Sequence, residues 1–123
     1  MNVLLVDAPS DRAANWAAHL RGAGFNVERV ETTEAGLESL RPAGTDIAIV
    51  NFDLDGIAAL ADFCQFRRPD LRLIAVTDDA DLTRGGAFAM SPQARAVIGG
   101  GTPAADLAAL VEHYGRPQDS AAR

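Results

Sequence analysis

Three polar side chains stand directly after apolar runs of the chain. Asp7 follows "NVLLV", Asn51 follows "IAIV" and Thr77 follows "LRLIAV". Such runs are typical of buried parallel strands, and the carboxyl ends of parallel strands lie along one edge of a sheet. We therefore expect a carboxylate, an amide and a hydroxyl to converge in one crevice.

The chemistry open to this crevice is limited by its amide. Accepting a phosphoryl group on a side chain needs a carboxylate nucleophile, a divalent cation and usually a fixed cation beside the transferring oxygens. Asn51 is neutral, Ala8 has no polar group, and every basic side chain of the sequence is arginine, with no lysine. Only Asp7 offers Mg²⁺ a direct carboxylate. We predict no phosphoryl transfer, no bound metal or cofactor, and no enzymatic activity.

An amide at the end of this run has a physical rationale of its own. It keeps the shape and the hydrogen-bonding capacity of a carboxylate, and it removes the repulsion that a second carboxylate would exert on Asp7. The pocket can then stay folded without a metal. An ordinary strand-ending amide in an unrelated α/β domain is the alternative interpretation of Asn51.

Five strands are expected to position these groups. Four runs are apolar without alternation, which predicts strands buried on both faces, whereas charged residues interrupt the run at 25–31 and predict an edge strand. The buried runs are Asn2 to Val6, Ile47 to Val50, Leu71 to Val76 and Ala94 to Ile98.

Helical patterns fill the intervals between the strands. The first helix should be capped by Ser10 and end at Gly22 or Gly24, and the second should follow Thr32 or Thr33 and stop at Pro42. The last should have Thr102 as N-cap and Pro103 at its first position. The fourth should be short or mobile, because glycines at 85 and 86 each cost about 1 kcal/mol in a helix interior. Apolar stripes are predicted for the first, second, third and last helices. In that order they are Ala13, Trp16, Ala17 and Leu20; Leu37 and Leu40; Ile57, Leu60, Ala61 and Cys64; and Leu107, Leu110, Val111 and Tyr114.

Five strand-helix units predict an α/β fold with a doubly wound parallel sheet, right-handed crossovers and helices on both faces. The length of 123 residues fits one domain, which we place at residues 1–115. Residues 116–123 lack periodicity and are expected to form a short flexible tail.

Three segments together resemble the receiver domain of bacterial two-component response regulators. They are "VLLVDAPSDRAANWAAHLRGAGFNVERVETTEAGLESL", "DIAIVNFDLDGIAAL" and "LIAVTDDAD". The resemblance covers nearly the whole chain, and it rests on the order and spacing of the segments. It implies a (βα)5 flavodoxin-like fold with strand order 2-1-3-4-5.

The resemblance also implies a set of site positions. In the family, an aspartate after the third strand accepts the phosphoryl group, and two acids after the first strand help to hold Mg²⁺. The first acid matches Asp7, but the second falls on Ala8 and the phosphoacceptor falls on Asn51. A hydroxyl residue that contacts the phosphoryl group in the family matches Thr77.

The family's lysine after the fifth strand has no counterpart. It falls on Thr102, or on Gly100 in an alternative register. The family's aromatic residue on the fifth strand is also absent from "AVIGGG". The site is thus expected to be a degenerate phosphorylation site, comprising Asp7, Ala8, Asn51, Thr77 and Thr102.

These departures favour a stand-alone pseudo-receiver that acts by protein contact in phosphorelay signalling. The partners implied by the resemblance are a histidine kinase, a phosphotransfer protein or another receiver. The family commonly binds partners through the first helix, or through the face made by the fourth helix, fifth strand and fifth helix, where a homodimer is also possible. The alternative hypothesis is a small-ligand or nucleotide-binding flavodoxin-like module that uses the crevice at Asp7, Asn51 and Thr77.

Other candidate residues carry weaker signals. Asp53 and Asp55 are possible substitute phosphoacceptors, but solvated loop acids are the preferred interpretation. His19 and His113 lack partners at ligand spacing and should lie at the surface. Cys64 lies on an apolar helical pattern and is expected to be a small core residue.

The segment "GGGTPAAD" has glycines before a helix start, which could cradle a phosphate. It lacks the spacing of a P-loop or a dinucleotide fingerprint, so we favour a flexible loop before a capped helix.

Composition excludes several classes of function. The net charge of -6 would repel nucleic acid, and a single cysteine rules out a disulfide framework. No apolar run approaches the ~18 residues needed to span a bilayer, and the start lacks the basic region of a signal peptide. We expect a cytoplasmic protein.

Overall fold

The computed structural model describes residues 1–115, in which five strands alternate with helices. The strands are β1 (Asn2–Val6), β2 (Asn26–Val30), β3 (Ile47–Asn51), β4 (Arg72–Val76) and β5 (Ala94–Ile98). The helices are α1 (Asp11–Gly22), α2 (Thr33–Leu40), α3 (Ile57–Arg67), α4 (Ala87–Met90) and α5 (Ala104–Gly115). The predicted tail at 116–123 lies outside the described residues.

The strands form one parallel sheet in the order β2-β1-β3-β4-β5. The predicted fold class and strand order are therefore confirmed. In the sheet centre, Val6 pairs with Val50, and Asn51 pairs with Val76. This register brings the ends of β1, β3 and β4 to the same level, as a common crevice requires.

Helices cover both faces of the sheet and produce two apolar layers. Trp16 and Leu20 of α1 pack with Leu107 and Val111 of α5 on one face. The other layer lies under α2 and α3, and includes Leu40, Leu60 and Cys64. The central strands β1, β3 and β4 are buried except at one terminal residue each, because both of their faces are covered. The edge strands β2 and β5 consist mostly of exposed and partly buried residues, so the prediction that Ala94–Ile98 is buried on both faces is wrong.

Two helix starts follow the sequence prediction and one does not. The Ser10 hydroxyl accepts a hydrogen bond from the Ala13 amide at 3.0 Å, as expected of an N-cap. Thr32 caps α2 in the same way at 3.1 Å. The prediction of Thr102 as the N-cap of α5 is wrong by one residue, because the Leu107 amide bonds to the Pro103 carbonyl and the helix begins at Ala104.

The fourth helix is short, as predicted. Leu82–Gly86 form an irregular turn of π type, and only Ala87–Met90 follow as α-helix. Gly85 has a φ of +122°, a backbone conformation that breaks the helix and that L side chains rarely adopt. The glycine pair therefore limits the length of this element.

Within residues 1–115, no helix combines the length and the apolar character that crossing a membrane requires.

Candidate functional site

The crevice at the carboxyl ends of the strands is centred on an ion pair that was not foreseen. Asp7, which follows β1, is only 2 % exposed, and its two carboxylate oxygens are bound by Arg12. Nη2 of Arg12 lies 2.9 Å from Oδ1 and 3.0 Å from Oδ2, and Nε lies 3.2 Å from Oδ2. This contact balances the charge of a carboxylate that burial would otherwise make costly.

The position of Arg12 is determined by the start of α1. Ser10 caps the helix, and the first turn brings Arg12 back towards the end of β1. Its guanidinium carbon lies 5.2 Å from the centroid of the Trp16 ring, a cation–π distance. The Trp16 indole in turn donates to the carbonyl of Thr102 at 3.1 Å. The ion pair is thereby tied to the β5–α5 loop.

Asn51 links the ion pair to the loop that follows β3. Its Nδ2 donates to Oδ1 of Asp7 at 3.0 Å, and its Oδ1 accepts from the backbone amide of Asp53 at 2.8 Å. A carboxylate at position 51 could accept the second bond but could not donate the first. The amide therefore uses both of its functions, and it brings a donor to Asp7 where a carboxylate would bring a second negative charge.

Thr77 enters the same network through Asp53. The Thr77 hydroxyl donates to Oδ1 of Asp53 at 2.6 Å, and the backbone amide of Asp78 donates to Oδ2 at 3.1 Å. The Thr77 oxygen also accepts from the amide of Asp79 at 3.0 Å. The three predicted strand-end groups thus converge, although Thr77 reaches Asn51 and Asp7 only by way of this loop acid.

Asp53 is an exposed loop acid, as expected, but it also makes contacts that the sequence did not indicate. Its side chain is exposed, yet both carboxylate oxygens accept hydrogen bonds from β4-end groups. A turn closed by Asn51 folds the loop over the strand ends, and no pattern in the sequence encodes this approach. Asp55 is exposed, as predicted, and its carbonyl accepts from the Thr33 hydroxyl at 2.9 Å.

The remaining predicted positions contribute no charged group. Ala8 is partly buried and apolar. The Thr102 hydroxyl donates to the Gly99 carbonyl at 2.8 Å and does not enter the network around Asp7. The Gly100 amide donates to Oδ1 of Asp78 at 3.0 Å.

Gly100 lies directly against the ion pair. A Cβ built on this residue would meet Nη1 of Arg12 at a distance that real side chains do not show. The absence of a side chain at Gly100 therefore makes room for the guanidinium. A side chain at position 100 would therefore require the guanidinium of Arg12 to move.

The residues present do not fit a Mg²⁺ site of the kind that the resemblance implies. Mg²⁺ prefers near-octahedral oxygen coordination through one or two carboxylates and several waters. Both oxygens of Asp7 are already bound by Arg12 and Asn51, and Ala8 offers none. Among residues 1–115, no group of three or more His, Cys, Asp or Glu side chains is placed to hold a metal ion.

The other singled-out residues lie away from the crevice. His19 and His113 are exposed on α1 and α5, and Cys64 is fully buried in α3. Burial raises the pKa of the Cys64 thiol to about 11, and the nearby Arg68 lowers it by a smaller amount. These positions agree with their predicted surface and core roles.

Arg12 is the residue that sequence reasoning missed. The sequence did offer one indication of its role, which is its place in the first turn of a helix capped by Ser10. A residue there lies near the end of the preceding strand. The absence of lysine also pointed to arginine as the source of any cation in the crevice. The five-residue separation from Asp7 does not correspond to a regular helical or strand spacing, so the pair was not apparent from periodicity.

Similarity to known proteins is structural. A CheY-like response regulator receiver domain protein from Methanospirillum hungatei JF-1 superimposes with a TM-score of 0.84 at 22% identity, covering 97% of this chain and 96% of that chain. The N-terminal domain of a response regulator/sensory box/GGDEF 3-domain protein from Carboxydothermus hydrogenoformans gives a TM-score of 0.81 at 18% identity, with 100% of each chain covered. At these identities the likeness establishes the fold.

A third similar structure was solved with a bound ligand. Response regulator protein TrrA from Thermotoga maritima, in complex with Mg²⁺-BeF, gives a TM-score of 0.77 at 16% identity over 92% of this chain and 97% of that chain. No protein-family model matches the sequence, and no curated protein matches it.

Proposed function

We propose that this chain is an atypical receiver-like module of two-component or phosphorelay signalling, which acts by protein contact without aspartyl phosphorylation. One observation carries the proposal. Arg12 binds both oxygens of Asp7 in a crevice where the strand-ending residue is Asn51. The receiver-like fold supports the signalling context, and the crevice argues for a mechanism without phosphoryl transfer.

The negative charge of Asp7 in the crevice is already balanced. In place of a divalent cation, a guanidinium from α1 balances the charge of Asp7. An arginine is permanently charged and is held by the chain, so its effect does not depend on metal concentration. Both oxygens of Asp7 are already bound by Arg12 and Asn51, so this carboxylate has little capacity left to bind the divalent cation that offsets charge during phosphoryl transfer.

The hydrogen-bond donors at the end of β4 are already occupied as well. The Thr77 hydroxyl and the Asp78 amide are donors suited to bind an anion, and the carboxylate of Asp53 already occupies them. The chain thus supplies its own anion as well as its own cation. We infer that the module presents one conformation to its partner and is not switched by modification at this crevice.

The partners proposed from the family are a histidine kinase, a phosphotransfer protein or another receiver. The exposed side of α1 and the face of α4, β5 and α5 are the surfaces proposed for them, and the second would also serve a homodimer. We place the folded unit at residues 1–115 and the module in the cytoplasm of a bacterium.

The proposal is tested by exposing the protein to acetyl phosphate and Mg²⁺, followed by intact mass measurement under native conditions. A phosphorylatable receiver treated in parallel shows that the reagent is active. We expect no phosphoryl adduct on this chain. An adduct would contradict the proposal, and its loss in Asp53→Asn would identify the loop acid as the acceptor.

A second measurement separates the proposal from the ligand-binding alternative. A ligand that binds the folded state raises the melting temperature. Since we propose that the crevice binds no nucleotide, added nucleotides should leave the melting temperature unchanged. A nucleotide-dependent increase that disappears in Asn51→Ala would favour a ligand-binding module over a signalling one.

A further inference from the structure

A second surface lies at the opposite end of the sheet from the crevice. It is a groove of about 470 Å³ between the C-terminal ends of α2 and α3, next to the segments that lead into β3 and β4. We call it the arginine groove. Its lining residues are Leu40, Arg41, Phe63, Arg67 and Arg68.

The arginine groove has an apolar floor and an exposed aromatic residue beside it. Leu40 is fully buried in the core, and Phe63 is partly buried against the same layer. Phe66, one helical turn after Phe63, is 76 % exposed, more than the other large hydrophobic residues found exposed in residues 1–115. Phe63, Phe66 and Arg67 follow i, i+3, i+4 spacing and so share one face of α3.

The charge of the groove is opposite to that of the molecule. The chain has a net charge of -6, yet three arginines line this site. Two carboxylates are paired there. Glu38 lies 3.4 Å from Arg41, and Asp70 lies 3.9 Å from Arg68. One positive charge remains in excess.

The three arginines differ in availability. The Arg68 side chain is 14 % exposed and donates to the carbonyls of Leu40 and Thr45, so it has a structural role. Arg41 and Glu38 are both largely exposed, and such surface pairs are weak enough for a partner's carboxylate to replace. The exposed side chain of Arg67 makes no ion pair or hydrogen bond within the described part of the chain. Arg41 and Arg67 are therefore available for binding.

These properties select the kind of ligand. Both helices direct the negative ends of their dipoles at the groove, which disfavours a small free anion. The acidic surface elsewhere disfavours nucleic acid. A peptide that combines carboxylates with an aromatic or long aliphatic side chain can pair with the arginines of the groove and also pack on its apolar floor.

We infer that the arginine groove docks an acidic segment of another protein, with an apolar side chain between Phe63 and Phe66 and carboxylates against Arg41 and Arg67. This docking surface is separate from the crevice and from the faces assigned to partners above. It does not depend on whether the crevice accepts a phosphoryl group.

The test is selection from a random peptide-display library on immobilised wild-type protein. Enriched sequences are then synthesised, labelled with fluorescein and titrated by anisotropy. We expect enrichment of sequences with Asp or Glu around an aromatic or long aliphatic residue. Phe66→Ser and Arg67→Glu should each weaken their binding by about tenfold or more, and added salt should weaken it further.

Matched controls lie elsewhere on the surface. Phe88→Ser and Arg95→Glu replace an exposed aromatic on α4 and an exposed arginine on β5, on the face proposed above for other partners. Peptides that dock in the arginine groove should bind both variants as tightly as the wild type, whereas a loss of binding would place the peptides on that other face and contradict the inference. Circular dichroism melting of all four variants checks that each is folded.

Several outcomes would overturn the inference. They are no enrichment, enrichment of basic or uncharged sequences, and binding unaffected by both groove variants while they remain folded. Self-association of the wild type that Phe66→Ser abolishes, measured by sedimentation, would instead assign the groove to a second copy of this chain.

Discussion

The guanidinium of Arg12 binds both carboxylate oxygens of Asp7, with Nη2 at 2.9 Å and 3.0 Å and Nε at 3.2 Å. Asp7 is almost fully buried, whereas the Arg12 side chain is 28 % exposed. This pair keeps a charged acid stable at the end of a central strand without help from outside the chain. The hypotheses about the crevice depend on it.

Removing Arg12 should destabilise the fold. Arg12→Met retains apolar contact with Trp16 but leaves the buried Asp7 with only the amide of Asn51. We expect the free energy of unfolding in urea to fall by about 2–3 kcal/mol, below the usual range for a broken buried pair because Arg12 is partly exposed. Asp7→Asn combined with Arg12→Met should cost less than the two single changes added together. Strict additivity would contradict a direct coupling.

The exposed Arg95 provides the control for this experiment. Arg95→Met makes the same chemical change on β5, away from the crevice, and should alter the free energy of unfolding by less than about 0.5 kcal/mol.

Placing a carboxylate at position 51 should cost stability in a pH-dependent way. Asn51→Asp loses the donor to Asp7 and adds a negative charge beside it, for a cost of about 2 kcal/mol at pH 7. Two neighbouring carboxylates bind a proton more tightly in the folded state than in the unfolded chain. The variant should therefore recover stability relative to the wild type as pH falls towards 4. Asn15→Asp, on the exposed side of α1, should show no such recovery, and equal pH profiles would refute the argument.

Introducing acids at the positions that carry them in receiver domains should be insufficient to create a metal site. Ala8→Asp with Asn51→Asp supplies carboxylates, but Arg12 still neutralises Asp7. We expect millimolar Mg²⁺ to raise the melting temperature of this double variant only slightly, and to raise it by several degrees once Arg12→Met is added. A large Mg²⁺ shift in the double variant itself would show that Arg12 does not block the site.

The lysine position can be tested in the Mg²⁺-responsive background. Residue 12 is Met in this background, so the guanidinium that a side chain at position 100 would otherwise meet is absent. Thr102→Lys and Gly100→Lys can therefore be compared directly. If labelling by a small phosphodonor appears, we expect it with Thr102→Lys. Labelling with Gly100→Lys alone would favour the alternative register.

Arg68 should stabilise the end of the sheet opposite the crevice. Its guanidinium donates to the carbonyls of Thr45 at 3.0 Å and Leu40 at 3.4 Å, and so joins the loop before β3 to the end of α3. Arg68→Met should lower the free energy of unfolding by about 2 kcal/mol, because it leaves partly buried carbonyls without a donor. Arg67→Met, one residue away and exposed, should change it by less than about 0.5 kcal/mol. Similar costs for both would contradict the structural role of Arg68.

Cys64 should make stability fall at high pH. Burial raises the pKa of its thiol to about 11, so the folded state resists deprotonation above the unfolded value of 9.0. Below about pH 9 the thiol is protonated in both the folded and the unfolded state, so it has no effect on the pH dependence of the free energy of unfolding. As pH rises from about 9 through 11, the unfolded state loses the proton first, and the free energy of unfolding should fall by an amount on the order of 2 kcal/mol. Comparing denaturant midpoints of the wild type and Cys64→Ala across this range isolates the effect. Parallel curves would exclude it.

The local elements were accessible from the sequence because their signals are local. Ser10 and Thr32 cap helices through bonds to residues three positions away. The glycines at 85 and 86 shorten the fourth helix through their own backbone freedom. The start of α5 was misplaced by one residue because Thr102 bonds back to Gly99 instead of capping the helix.

Sequence alone determined the apolar strands, the alternation with helices, and the absence of a carboxylate and a lysine at two positions of the crevice. These features depend on residue type and on spacing along the chain. The tertiary structure decided how the charges are paired. Arg12 reaches Asp7 only because α1 turns back over β1 and Gly100 leaves space beside it, and Asp53 reaches Thr77 only because β3 and β4 end at the same level. Such contacts depend on the register between strands and on close packing in three dimensions, and no periodicity of the sequence records them.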